Sequence, residues 1–187
     1  MKLYKYESYE KYVEAQTKAN IKKIRNVWVR ESTVARIVND NFIITSVLCH
    51  GTRNAAEQKY FKDMLPAAEI IGTEISNTAS QFPMTVQHDF HEPKKEWLNK
   101  FDIVYSNSFD HSYDPEKCIN TWKNQLNDNG SLYIEWAWDL QDNRSRESDP
   151  LELSENELLE LCLNAGLRLI STFEQEKGDA KIYRFKK

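Results

Sequence analysis

Residues 42–75, FIITSVLCHGTRNAAEQKYFKDMLPAAEIIGTEI, most narrowly constrain what this chain can fold into. Residues 42–48 are apolar and rich in β-branched side chains, the pattern of a strand covered on both faces. Gly51 follows at once, and residues 55–64 have helical character, with Tyr60, Phe61 and Met64 available to face a sheet. A second apolar run, 69–73, stops at Glu74. Strand, glycine turn, helix and strand make a βαβ unit, whose ligands lie outside the carboxyl ends of the strands. Glycine lets a backbone approach a ligand, the next helix offers free N–H groups, and an acid after the second strand can accept from ribose hydroxyls. One glycine is too few for a dinucleotide fingerprint, and Gly51 also fits an ordinary strand-to-helix turn.

The rest of the chain continues the alternation. Residues 7–38 read as helical, with Tyr9, Tyr12, Val13 and Gln16 on one face and an apolar stripe through Ile21, Ile24 and 27–29. Ser32 is placed to cap a restarted helix. This segment either packs on the finished sheet or covers its ligand edge, and in the second case Tyr9, Tyr12 and Trp28 belong to a lid. Pro66 ends the helix of 55–64. Pro83 opens a strand at 84–88 that runs into Asp89 and Phe90, and Trp97 and Leu98 anchor a helical turn within 93–100. Residues 102–106 are a fourth strand, leading into the polar loop NSFDHSYDPEKC. Asp114 caps a helix that starts on Pro115 and reaches about Leu126. Asp128, Asn129 and Gly130 make a turn, 131–136 a fifth strand, and 139–150 a polar loop. Ser154 caps an amphipathic helix closed by Gly166. Strands at 167–174 and 180–186 form a hairpin around EKGD. Such alternation implies parallel strands, right-handed crossovers and helices on both faces, with the hairpin adding an antiparallel strand at the edge.

Composition narrows the partners. A chain of 187 residues with 29% charged and 40% apolar side chains is one globular domain. A net charge of −4 gives no footprint for nucleic acid. Lys18, Lys22, Lys23 and Arg25 fall in a helical pattern and read as a solvated face. Cys49, Cys118 and Cys162 include no CxxC pair, so neither a metal site nor a disulfide framework is indicated, and Cys162 reads as a buried thiol. With no leader and no membrane-length apolar run, the expectation is a cytoplasmic protein without a membrane partner.

Five stations together resemble the class I S-adenosylmethionine-dependent methyltransferases, over roughly residues 43–187. SVLCHGTRN stands where the family has its first glycine-rich motif. IGTEIS supplies the acid after strand two, QHDF places Asp89 after strand three, FDIVYSNSFDH matches the fourth-strand motif, and LNDNGSLYIEW the turn and fifth strand. CHGTRN, GTEIS and the YSNSFDHSYDP stretch further resemble a subgroup to which the motifs assign no substrate. The resemblance implies a Rossmann-like fold: a seven-stranded, mostly parallel sheet with an antiparallel terminal hairpin strand and helices on both faces. Residues 1–40 would be a cap or lid on a core of 41–187. It implies S-adenosyl-L-methionine as cofactor, held by His50, Gly51, Thr52 and Arg53, by Glu74 at the ribose, by Ile75, Asp89 and Phe90 at the adenine, and by Asn107 and Ser108 beside the methionine part. Two positions depart from the family pattern. Cys49 replaces the acid that usually ends strand one, and Arg53 stands near the second glycine, where it can bind the cofactor carboxylate or an acid inside the protein.

Methyl transfer is an in-line displacement that gains from alignment and, for an oxygen or nitrogen nucleophile, from a base. His111, with Asp110 to hold it and Asn107 to orient the acceptor, is the catalytic candidate. SNSF does not resemble the motif of base-methylating relatives, so the expected acceptor is a small molecule, with the oligomeric state left open. Two alternatives stand beside the methyltransferase: a non-catalytic binding protein on the same fold, and a nicotinamide-dependent oxidoreductase, which calls for a glycine-richer turn.

Overall fold

The structure, a computed structural model, describes residues 1–41, 43–137 and 145–187. The strands are β1 (Lys2–Leu3), β2 (Ser46–His50), β3 (Glu69–Glu74), β4 (Thr85–Gln87), β5 (Phe101–Ser106), β6 (Leu126–Ala137), β7 (Leu151–Glu152), β8 (Arg168–Glu174) and β9 (Ala180–Lys186). The α-helices are α1 (Tyr9–Lys22), α2 (Glu31–Asn39), α3 (Ala56–Met64), α4 (Pro115–Gln125) and α5 (Glu155–Asn164). Seven strands form the central sheet in the order β4-β3-β2-β5-β6-β9-β8. Strands β2 to β6 run parallel, and β9 runs antiparallel to both β6 and β8. The reversed strand is therefore not at the edge, as the hairpin implied; β9 is inserted and β8 is outermost.

Alternate residues of the buried strands divide the core. Leu48, Val104, Leu132, Ile134 and Trp136 pack with α4 and α5, anchored by Trp122. Val47, Cys49, Ile103, Tyr105 and Tyr133 pack on the other face with Val34, Ile37 and Phe61 of α2 and α3. The first central strand begins later than the apolar run at 42–48 implies. Asp102 Oδ2 accepts from the backbone N–H groups of Thr45 and Ser46 at 2.7 and 3.0 Å, fixing where β2 enters the sheet. Ile43 is left 80% exposed, and Phe42 lies outside the described residues.

The helical reading of 7–38 holds, but the second helix does not restart on a Ser32 cap. Two helices stand there, because the Asn54 side chain donates to the carbonyls of Ile24 and Asn26, at 2.9 and 3.0 Å, and holds the chain open between them. Ser8 caps α1, whereas α2 starts at Arg30 without a side-chain cap and Ser32 lies inside its first turn. The stripe at Ile21, Val27 and Trp28 is exposed, and α1 instead buries Tyr12, Ala15, Gln16 and Asn20.

Asp114 and Ser154 cap α4 and α5, the latter in a capping box with Glu157. The stretch read as turn plus strand at 128–136 is one strand with a bulge. The pairing steps from Phe101↔Leu126 to Ile103↔Ser131. Gly130 makes this possible, since a Cβ there would lie 2.6 Å from the Phe101 carbonyl. A two-stranded pairing of β1 with β7, outside the sequence reading, ties the start of the chain to residues 151–152. Of the 139–150 loop, 139–144 lie outside the described residues; Arg146 and Asp149 are bridged. All three cysteines are free and buried. Among the described residues no helix is long and apolar enough to cross a membrane.

Candidate functional site

The carboxyl ends of β2, β3 and β5 meet on one edge, and the turn after β2 crosses it in strained backbone. Gly51, Arg53 and Ala55 have φ of 71°, 42° and 62°. Gly51 lies against the loop after β5: a Cβ would sit 2.6 Å from Ser108 Cβ, and Ser108 Oγ donates to the Gly51 carbonyl at 3.0 Å. Gly51→Ala is therefore expected to destabilise the protein by about 2–4 kcal/mol, combining left-handed backbone with overpacking. Thermal unfolding of Gly51→Ala and of its pairing with Ser108→Gly checks this. The second change should restore the part due to overlap and leave the part due to φ.

Glu74, nearly buried at the end of β3, accepts from the N–H groups of Arg53 at 3.1 Å and Ser76 at 2.9 Å, one on each oxygen. It thus clamps the turn after β2 to β3. Asp89 is held more firmly. Its Oδ1 accepts from His91 N–H at 2.9 Å and His91 Nδ1 at 2.6 Å, and its Oδ2 from the Tyr9 hydroxyl at 2.9 Å. Burial pushes this carboxyl up, but the bonds from His91 and Tyr9 outweigh it and leave it below the usual range. His91 Nε2 is 2.8 Å from Ser112 Oγ, completing an Asp–His–Ser chain. Ser112 is fully buried, with His91 packed against Tyr12 and Tyr113, so the chain is a rigid post for Asp89 with no access for a hydrolytic substrate.

Two adjoining cavities open on this edge. Glu74, Ile75, Asp89 and Phe90 face Tyr12, Gln16 and Asn20 of α1 across the smaller, whose volume of about 40 Å³ has room for a water and not for a nucleoside. The larger, about 610 Å³, is bordered by Thr52, Glu57, Asn107, Asp110, Glu135 and Asp149 among others. Gly51, Arg53, Ser108, His111 and Lys23 stand in both. Of the residues expected to hold a cofactor, all but His50 line one cavity or the other.

His50 is corrected. Its ring stacks on Trp122 with centroids 5.0 Å apart, and its nitrogens reach Thr73 Oγ1 at 2.9 Å and Gln125 Oε1 at 2.8 Å. Strand alternation turns it toward α4, and burial lowers its pKa to about 3. It is a neutral core histidine.

The three catalytic candidates stand together. His111 Nδ1 donates to the Ser148 carbonyl at 2.9 Å, which leaves Nε2 of the neutral ring as the acceptor. Asp110 Oδ1 lies 3.9 Å from Nε2, and Asp149 Oδ1 lies 3.9 Å from Nδ1. These three residues offer ligand atoms within 4.8 Å of one another, but Asp149 is already bonded by Arg146 and Ser148. Asn107 Nδ2 donates to Glu57 Oε1 at 3.3 Å.

Sequence reasoning passed over Lys23, Glu57 and Glu135. Lys23 looked like one of four solvated cations. Glu135 did carry a signal: in SLYIEWA it alternates against Leu132, Ile134 and Trp136 and ends a buried parallel strand, where an acid points at the ligand edge.

The inserted reversed strand, the helices on both faces and the acid ending β3 define the Rossmann-like fold of the class I S-adenosylmethionine-dependent methyltransferases. Solved structures bear out this fold. The 1,6-didemethyltoxoflavin-N1-methyltransferase of Burkholderia thailandensis, with bound 1,6-didemethyltoxoflavin and S-adenosylhomocysteine, matches with a TM-score of 0.74 at 14% identity, over 98% of this chain and 93% of its own. The mitomycin 7-O-methyltransferase matches with a TM-score of 0.71 at 15% identity, over 96% of this chain and 60% of its own. A TehB-like S-adenosylmethionine-dependent methyltransferase of Corynebacterium glutamicum matches with a TM-score of 0.62 at 16% identity, over 95% and 98%. No protein-family model matches the chain, and no curated protein matches its sequence.

Proposed function

We propose that this protein transfers a methyl group from S-adenosylmethionine to oxygen or nitrogen of a small-molecule acceptor. The observation that carries the reading is the joining of the two cavities at Gly51, Arg53 and Ser108, with ribose- and adenine-type acceptors in one and His111 with Asn107 at the other. The residues fit the cofactor. Glu74 has lone pairs left for two hydroxyls, Asp89 is a fixed acceptor for an exocyclic amine, and Ile75 and Phe90 give apolar walls. Arg53 Nε is buried without a hydrogen-bond partner among the described residues, and a cofactor carboxylate would supply one. When bound, the cofactor supplies an electrophilic methyl on a cationic sulfur. His111 Nε2 then serves as proton acceptor for the attacking group, and Asn107 helps align it.

In this reading residues 1–40 are a lid on a core of 41–187. The hydrogen bond from Tyr9 to Asp89 draws α1 over the nucleoside side, so a nucleoside enters only when α1 swings away. The Burkholderia and mitomycin enzymes, which act on small molecules, support a small acceptor by analogy of fold. Calorimetric titration with S-adenosylmethionine and S-adenosylhomocysteine is the test. Binding of both is expected, and no binding by folded protein at millimolar ligand would sink the reading and turn attention to nicotinamide cofactors. A binding protein without turnover is the second reading, favoured by Cys49 at the strand-one acid position. Transfer of a labelled methyl group separates the two.

A further inference from the structure

Two carboxyl groups in the larger cavity have no part in the roles above. Glu57, in the first turn of α3, and Glu135, near the end of β6, are 5% and 8% exposed, and both border the cavity. They are close enough for the charge of Glu135 to act on Glu57. Glu135 is held from two sides: the Tyr105 hydroxyl donates to Oε1 at 2.5 Å and Gln175 Nε2 to Oε2 at 2.6 Å. Gln175 is itself oriented by Arg30 Nε at 2.8 Å. Glu57 Oε1 accepts from Asn107, whereas Glu57 Oε2, also buried, has no hydrogen-bond partner among the described residues. Of the cations nearby, Arg30 pairs with Asp179 and Arg146 with Asp149, while Arg53, which borders the same cavity, acts on Glu57 through its charge without an ion pair to it among the described residues.

Two buried carboxyls that border one cavity, with no ion-pair partner among the described residues, destabilise a fold, and apolar side chains would hold it better. An orphaned acceptor at the wall of a cavity asks for a donor from outside the chain. An anionic acceptor would meet repulsion there, and a hydroxyl could satisfy one oxygen without offsetting charge. An ammonium group does both. We propose that Glu57 and Glu135 form the recognition site for a basic nitrogen of the methyl acceptor, so that the acceptor is a small amine; this rests on the methyl-transfer reading above.

The chemistry balances without a further reactant. For an amine acceptor a carboxylate takes the proton in place of His111: the bound ammonium gives it one proton, and it becomes a carboxylic acid. The freed nitrogen lone pair forms the N–C bond to the methyl carbon as the C–S bond breaks, and that bond's electrons remain on sulfur, leaving a neutral thioether. The positive charge passes to the methylated ammonium, and the carboxylic acid returns its proton to water. Burial above all raises both carboxyls to about 7, a range in which each can hold an ammonium as the anion and keep its proton as the acid.

The test uses matched pairs of primary amine and alcohol, benzylamine with benzyl alcohol and glucosamine with glucose, titrated by ligand-observed NMR with and without S-adenosylhomocysteine. Amines should bind at least about tenfold more tightly than their alcohols, as charge-assisted bonds predict. Glu135→Gln, which keeps an acceptor for Tyr105, and Glu57→Gln should each erase that preference and leave S-adenosylhomocysteine affinity unchanged. Equal binding of amines and alcohols, no binding of either, or a preference that survives both substitutions overturns the proposal. So does Glu57→Gln if it weakens the cofactor product and spares the amines, because Glu57 then serves the cofactor. Failure of S-adenosylhomocysteine to bind while the amine preference stands would instead count against the cofactor.

Discussion

Glu74→Gln is expected to weaken S-adenosylhomocysteine binding by about 100-fold or more, the loss of close to 3 kcal/mol that follows from removing charge-assisted bonds to two hydroxyls. The carboxylate is committed on both oxygens before any ligand arrives, to Arg53 N–H and Ser76 N–H. An amide keeps the shape but must turn its NH2 toward one of those donors. Whichever way it flips, one backbone N–H loses its acceptor and one hydroxyl faces a donor. The substitution thus removes ligand bonds and loosens the turn that carries Gly51 and Arg53. Glu74→Asp keeps the charge one methylene further back and should fall between the two. Calorimetry reads the affinity, and thermal unfolding separates lost binding from lost fold. An affinity within about threefold of wild type, under 1 kcal/mol, would show that Glu74 is only a clamp between strands.

The chain's periodicity carried the βαβ alternation because buried parallel strands and sheet-facing helices each impose their own repeat. The stations at Glu74, Asp89 and Asn107–His111 were legible for the same reason: in a parallel sheet, whatever follows a strand points to the ligand edge. What escaped was set by single long-range contacts. Asp102 decides where β2 begins, and Asn54 decides where α1 and α2 part, yet neither leaves a trace in the local pattern. β1 and β7, two residues each, are too short to show a period at all. His50 failed through parity. Side chains alternate across a strand, so the last residue of β2 points at α4 although its neighbour Gly51 faces the cavity. Glu57 was hidden in a helix whose charged residues are mostly solvated, and only the packed structure shows that this one faces inward.

That inward carboxyl has a measurable consequence for stability. In the unfolded chain Glu57 ionises near its usual 4.5, while in the folded protein burial keeps the proton on until about 7. Between those values the folded state binds more protons, so this group's contribution is full below pH 4.5 and is lost as pH rises through about 7. The span corresponds to about 3 kcal/mol. Glu135 adds a loss of the same sign. The wild-type profile will not show it cleanly, because His50 acts in the opposite direction. Held neutral with a pKa lowered to about 3, it contributes stability that is lost as pH falls from 6.5. The difference between Glu57→Gln and wild type cancels the His50 part. Glu57→Gln should therefore gain on wild type by about 3 kcal/mol between pH 4.5 and 7 and hold that lead above it. Urea unfolding at half-unit steps from pH 4.5 to 8 measures this directly. A difference that does not change with pH would mean Glu57 ionises normally and is not the desolvated group described here. A variant that is more stable at pH 7.5 and yet has lost its preference for amines would show why the chain keeps an acid where a neutral side chain folds better. A carboxyl that opposes folding persists when its partner arrives with the ligand.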